Sequence, residues 1–407
     1  MIDPHYAAPV QEQRTRDLAD LLVHVGANVQ PGQVVAVSAD PSKQILVRHI
    51  AESAYRRGAK FVDVSYFDGH VKRVRIEHAP EDTLAYVPPW YGQRFLALGA
   101  EGAALVALTP RVTPGLLSDV DPERAGRDLL PALKESSQVI NERSINWTVG
   151  VYPTSDWAEV VHPHLDPGAA LARLWDEIVF VCRLDEPDPR GAWRERSDFL
   201  DAVAARLDAR TFDALHFEGD GTDLTIGLLP SSRWYSARFS RKDGLPHMVN
   251  IPSEEIFTAP DPERVEGTVR ATKPLEIAGT LVDGLTVRFE GGRAVAMDAR
   301  TGIDTLRVRA SRDEGAARLG EVALVDRDGR VGQAGTVFFD TLLDENAASH
   351  IALGSAYAFS VGEEDLARIN TSEIHIDFMI GGDGVDVTGL TREGDRVPVL
   401  RGGSWAI

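Results

Sequence analysis

The sequence holds one cysteine in 407 residues, so no disulfide forms within the chain. That residue, Cys182, follows the apolar run Ile178–Val181, where a lone thiol reads as a small core side chain rather than a nucleophile. Positive charge is scarce: 43 Lys and Arg stand against 62 Asp and Glu, a formal net charge of -19. Such a balance excludes nucleic-acid binding, which needs basic side chains in excess along the phosphate backbone. It also disfavours an anionic membrane surface. No apolar stretch is long enough to span a bilayer, and Met1–Gln11 lacks the basic-then-apolar pattern of a signal peptide. A cytoplasmic protein is expected, in which the sequons at Asn146 and Asn370 meet no glycosylation machinery. Neither G-x-G-x-x-G nor G-x-x-x-x-G-K occurs at a strand–helix turn, so no nucleotide site is signalled. No repeat recurs at a fixed period. The segment Gly381–Asp386 resembles one unit of a calcium-binding β-helix repeat, but a single copy cannot stack, and it reads as a turn.

What is present is an ordinary globular composition, 43% hydrophobic and 26% charged, in a chain long enough for two domains. Leu18, Leu21, Leu22 and Val25 fall at helical spacing before the break at Pro31-Gly32. A strand over 33–37, an N-cap at Asp40, a helix through Ile45, Val47, Ile50 and Tyr55, and a strand over 61–66 follow. This β-α-β order predicts an α/β domain over 1–184 built on a doubly wound, mostly parallel sheet. The acidic, Pro-rich stretch 185–191 reads as a linker. After a helix near 193–207, short alternating segments such as Asp223–Leu229, Leu285–Phe289 and Ala294–Met297 predict an α+β, β-rich domain over 192–407.

Chemistry concentrates in that second part. In Ile374–Ile380 the residues Ile374, Ile376, Phe378 and Ile380 form an apolar strand face. His375 and Asp377 then emerge together on the other face, which suits two ligands of one metal cluster; the alternative, favoured by this motif alone, is a solvated outer face. Glu345 and His350 are five apart, a spacing that converges only if the segment bends. The alternative is a turn acid beside a partly buried histidine. Glu321 lies inside Leu319–Val325, where a carboxylate is costly unless paired, protonated or cation-bound, or unless the strand is an edge facing water. Glu254-Glu255 follow Ser253, which fits the capped first turn of a helix. Hard oxygen donors with two imidazoles and no thiolate suit Zn, Mn or Co in a hydrolytic site. A shared carboxylate sets two such ions about 3.5–4 Å apart.

The segments Asn250–Pro260, Leu319–Val325, Glu345–Gly354 and Ile374–Gly381 resemble, in order, the motifs of the thermophilic metalloaminopeptidase family, the M29 group. The resemblance implies two divalent metal ions (Zn, Co or Mn, with Mg a further candidate) held by Glu255, Glu321, Glu345, His350, His375 and Asp377. Glu321 would be the bridge, and Tyr357 falls at the family's catalytic tyrosine. Glu254, beside a ligand, is the choice for general base. The implied activity is release of N-terminal residues from peptides by a metal-activated water. The N-terminal domain would limit access, in a homodimer whose substrates are peptides with a free N-terminus. Two other readings share the ligand set: another binuclear amidase or dipeptidase, and a non-catalytic metal- or peptide-binding protein.

Overall fold

The structure, a computed structural model, describes residues 4–110, 113, 115–117, 119–128, 134–277 and 279–407. Helix α1 (Pro4–Leu21) runs on through a π-type turn, Leu22–Gly26, before the chain enters β1 (Val34–Ala39). Val34, Val35 and Val37 are β-branched residues that favour a pleated strand. The Asp40 carboxylate accepts the backbone N–H of Ser42 at 2.8 Å and caps the turn leading into α2 (Gln44–Arg56). That helix buries Leu46, Val47, Ile50 and Ala54, a single stripe at helical spacing. Gly58, at φ +89°, takes the left-handed turn that closes it.

Strands β1, β2 (Phe61–Tyr66), β3 (Ala104–Leu108), β4 (Asn146–Gly150) and β5 (Asn250–Ile251) form one parallel sheet in the order β5-β4-β3-β1-β2. The β-α-β reading of the N-terminal part holds. Its fifth strand, however, arrives from 100 residues further on, immediately before the segment that carries Glu255.

Of the stretch 185–191, residues 185–188 are turns tied down by Arg330, whose guanidinium pairs with Asp185 and Glu186, and 189–191 are already helical. From it springs α3 (Pro189–Arg210), started by a proline at a position where its missing N–H costs nothing. Trp193 on this helix belongs to the core beneath the parallel sheet, while Leu200, Val203 and Leu207 belong to a second core. The second core lies between two antiparallel sheets. One has eight strands, from Arg293–Asp298 at one edge to Ser404–Trp405 at the other. The other has the order β9-β8-β7-β6 followed by the short strand Tyr235–Ser236, where β6 is Glu255–Thr258, β7 Leu319–Val325, β8 His350–Gly354 and β9 His375–Met379. Ile256, Val322, Leu324, Ile351, Leu353 and Phe378 point from it into the core. Alternation therefore turns Glu255, Glu321, Ala323, His350, Ala352, His375 and Asp377 to the opposite face.

Candidate metal centre

That opposite face is where the expected ligands meet. Cross-strand pairing sets Ala323 opposite His350, Ala352 opposite Asp377 and Gly354 opposite His375. Between the ligands stand only small residues, so the face has a hollow rather than a packed layer. A bulge at Gly320 shifts the register between β7 and β8 and sets Glu321 opposite Ala352, which aims its carboxylate at both histidines. A side chain at Gly320 would strike the Gly354 carbonyl 2.3 Å away.

His350 Nε2 lies 3.1 Å from Glu255 and 3.7 Å from Glu321. His375 Nε2 lies 3.2 Å from Asp377 and 3.7 Å from Glu321. The outer nitrogens are engaged with the backbone: Nδ1 of His350 is 3.2 Å from the Ala348 carbonyl, and Nδ1 of His375 is 2.8 Å from that of Ser355. Such an N–H donated to a carbonyl fixes the tautomer and leaves Nε2 as the coordinating atom. Glu345 ends the short helix α4 (Thr341–Glu345), and the chain turns through 346–349 before β8 begins at His350. The bend required by the five-residue spacing is present.

Three groups of side chains have ligand atoms mutually within 4.8 Å: Glu255, Glu321 and His350; Glu321, His375 and Asp377; and Glu345, His350 and Asp377. Glu321, His350 and Asp377 each belong to two of the groups, so the six side chains converge on one place. The donors fit divalent cations. Glu255 Oε2 is buried and lies 3.1 Å from His350 Nε2, a carboxylate oxygen and an imidazole nitrogen converging as two ligands of one ion would. Four carboxylates in one hollow carry the charge that two divalent cations would balance, and carboxylate with imidazole is a donor set suited to Zn, Mn or Co.

The electrostatics without cations reflect the strain. Burial, reinforced by Glu255 and Asp377, holds the Glu345 carboxyl well above the usual range, and burial also raises Glu321. Burial alone would lower His375, but Asp377 and Glu321 push it up to about 10, although 29% of its side chain is exposed. Tyr357 is raised well above its ordinary value by burial and by the surrounding carboxylates. Its ring sits 5.7 Å from that of His375 and stacks on Phe359. A group whose pKa folding raises stabilises the fold fully below its unfolded value, and that contribution is lost as pH climbs through the folded value. Metal-free protein should therefore lose thermal stability between pH 6.5 and 10, the ordinary and folded values of His375. Zinc-loaded protein should not, because cation binding displaces the protons. Calorimetry with and without chelator tests this, and parallel curves would contradict it.

Two local expectations need correction. Glu255 opens a strand, not a helix capped by Ser253. Glu254 faces away from the cluster. Its carboxylate is fully buried, 2.8 Å from Arg183, ion-paired with Arg196 and accepting the Arg330 N–H at 3.1 Å. Glu254 is therefore committed to two guanidiniums and a backbone N–H, and it is not among the three ligand groups. It anchors the start of β6 instead. Asn346 does related work that the sequence did not announce: its Oδ1 accepts the Glu254 N–H at 2.6 Å and its Nδ2 donates to Leu342 O at 2.7 Å. It thus braces the Glu255 strand against the Glu345 helix. Its place directly after Glu345 was the only available signal.

The site and fold together define a metalloprotease. The thermophilic metalloprotease (M29) family model matches residues 11–405, and the chain belongs to that family. Aminopeptidase T of Thermus aquaticus is 43% identical over 399 residues, covering 96% of this chain and 98% of the relative. Aminopeptidase 2 of Geobacillus stearothermophilus is 37% identical over 406 residues, covering 97% and 98%. The solved structure of wild-type AmpT from Thermus thermophilus aligns with a TM-score of 0.87 at 41% identity, covering 97% of this chain and 99% of that one.

Proposed function

We propose that this protein is a metal-dependent aminopeptidase with two divalent cations, held by Glu255, Glu321, Glu345, His350, His375 and Asp377. The observation that carries the reading is the overlap of the three ligand groups, with Glu321 on the central strand β7 as the proposed bridge. Bound there, such ions would supply Lewis acidity, acidifying a water and polarising the scissile carbonyl. The chain's own residues do the rest. His350 and His375, oriented by backbone carbonyls, hold their Nε2 atoms toward the hollow. Tyr357, kept protonated by burial and by its carboxylate neighbours, donates a hydrogen bond to the oxyanion that develops on the substrate. With Glu254 engaged elsewhere, proton transfer to the leaving amine falls to a carboxylate within the cluster. The excess of acid oxygens also suits a substrate's free α-ammonium group, which makes cleavage start at the N-terminus.

Zinc, cobalt or manganese, with magnesium behind them, is the proposed metal. We further propose two domains, 1–184 and 192–407 joined by 185–191, supported by two large cores, the first of which also takes in Trp193, Met248, Ile251, Val331 and Leu343 from the second stretch. A homodimer is proposed, supported by exposed apolar side chains on the N-terminal part such as Phe61, Val71 and Trp90, with 56%, 65% and 65% exposure. No described helix is long and apolar enough to cross a membrane, and a cytoplasmic location is proposed.

A panel of substrates tests the activity. Leucyl peptides and leucine amide should be hydrolysed, and their N-acetylated forms should not. Equal cleavage of blocked and unblocked forms would move the assignment to an amidase. Bound metal without turnover of any aminoacyl substrate would leave a binding protein.

A further inference from the structure

Strand β9 stands at the end of its sheet, with β8 as its strand partner among the described residues. The register between them runs without a bulge, so alternation decides which backbone groups face β8. The Ser355 N–H donates to the Ile374 carbonyl at 2.7 Å, and the Ile380 N–H to the Ser349 carbonyl at 2.8 Å. Ile376 and Phe378, in phase with these, also turn their N–H and C=O groups toward β8. His375, Asp377 and Met379 turn theirs to the free edge. The Met379 carbonyl shows this directly, accepting the Thr272 N–H at 2.8 Å from outside the sheet.

At the other end of the edge, the Asp313 carboxylate accepts the Glu373 N–H at 2.8 Å. Between these two caps the Asp377 N–H lies against its own carboxylate. The His375 N–H and the carbonyls of His375 and Asp377 have no hydrogen-bond partner among the described residues. This stretch opens on a cavity of about 430 Å³, lined by residues 373–377 and by the apolar Leu117, Ile277 and Phe339. The volume is that of a small-ligand pocket. An unpaired strand edge is a template for another extended chain, and proteins commonly blunt or cover it. Here it is unpaired within a pocket, at residues whose side chains belong to the proposed metal centre. An extended peptide presents N–H and C=O groups to one side at every second residue, about 6.6–6.8 Å apart, which is also the spacing of those at His375 and Asp377.

We propose that β9 is a docking strand, whose outward backbone groups at His375 and Asp377 pair with the extended main chain of the peptide substrate downstream of its scissile bond. The inference rests on the aminopeptidase reading. Two residues then serve both ends of the task, holding metal with their side chains and peptide with their backbone. Main-chain pairing supplies affinity without selecting side chains, so the enzyme tolerates varied residues after the first.

Backbone-edited substrates test this on zinc-supplied protein. The parent is leucyl-tetra-alanine, and in two analogues an ester oxygen replaces the amide N–H of the third or the fourth residue. On a strand edge only alternate N–H groups face the partner, so kcat/KM for leucine release should fall about fivefold or more for one analogue. For the other it should change less than about twofold. Equal rates for all three, or equal losses in both analogues, would overturn the docking strand. Hydrogen exchange resolved to single amides gives a second readout, without turnover. A parent analogue with its first peptide bond reduced should slow exchange of the His375 amide about tenfold or more. The amides of Ile376 and Phe378, already committed to β8, should change less than about twofold. An unprotected His375 amide at millimolar analogue would also overturn the proposal. Failure of the aminopeptidase reading would appear separately, as no hydrolysis of leucine amide, which has no downstream chain to dock.

Discussion

Replacing Glu321 with glutamine should lower kcat/KM by about a thousandfold or more, equivalent to about 4 kcal/mol of transition-state stabilisation. The amide keeps the size of the side chain and its place on the central strand β7, but it cannot serve two cations at once. Metal content should fall from two equivalents toward one. In metal-free protein, however, the substitution removes one negative charge from a cluster of four carboxylates, Glu255 and Glu321 buried and Glu345 and Asp377 half-buried. Its melting temperature should therefore equal or exceed that of the unmodified chain under chelator. The pair of outcomes is diagnostic. Lost activity with lost folding would mean that Glu321 is structural, and full activity with two metals would remove it from the bridge.

Chelation should have an effect of similar size. Dialysis against a strong chelator should reduce hydrolysis of leucine amide by at least about a hundredfold, and zinc or cobalt should restore it. The fold should persist, because both large cores lie off the ligand face. The melting temperature should nevertheless fall, by the linkage that any ligand bound only to the native state imposes. Indifference of the rate to chelator would end the metal assignment.

Several parts of this architecture were legible in the sequence because one physical rule governed each. The β2 strand emerges over 61–66 as expected, and α2 follows its Asp40 cap. The pairing of His375 with Asp377 followed from the period of a strand, and the bend between Glu345 and His350 from its conflict with the period of a helix. Glu321 was ambiguous for a different reason. Whether a strand is central or at an edge depends on partners far along the chain, and β7 proved central, between β6 and β8. The helix expected after Ser253 failed on the same ground. Capping chemistry is local, but pairing of Glu255 with Val325 is not, and tertiary pairing overrode the local preference. Nor did adjacency in sequence place Glu254 among the ligand groups, since successive side chains on an extended chain diverge. The small residues that hollow the ligand face, Ala323, Ala352 and Gly354, carry no signal until the strands are aligned.

The short strand β5 joins two structures that could otherwise have been independent. Ile251 is hydrogen-bonded into the parallel sheet, and Glu255 lies only four residues later, at most about 14 Å of chain. A ribosome must therefore deliver residue 251 before the first sheet can close, and a fragment ending near 190 would expose β4 as a bare edge, prone to self-association. The same short tether means that rocking of the N-terminal layer pulls directly on a ligand strand, so crowding at the distant surface would register at the site of chemistry.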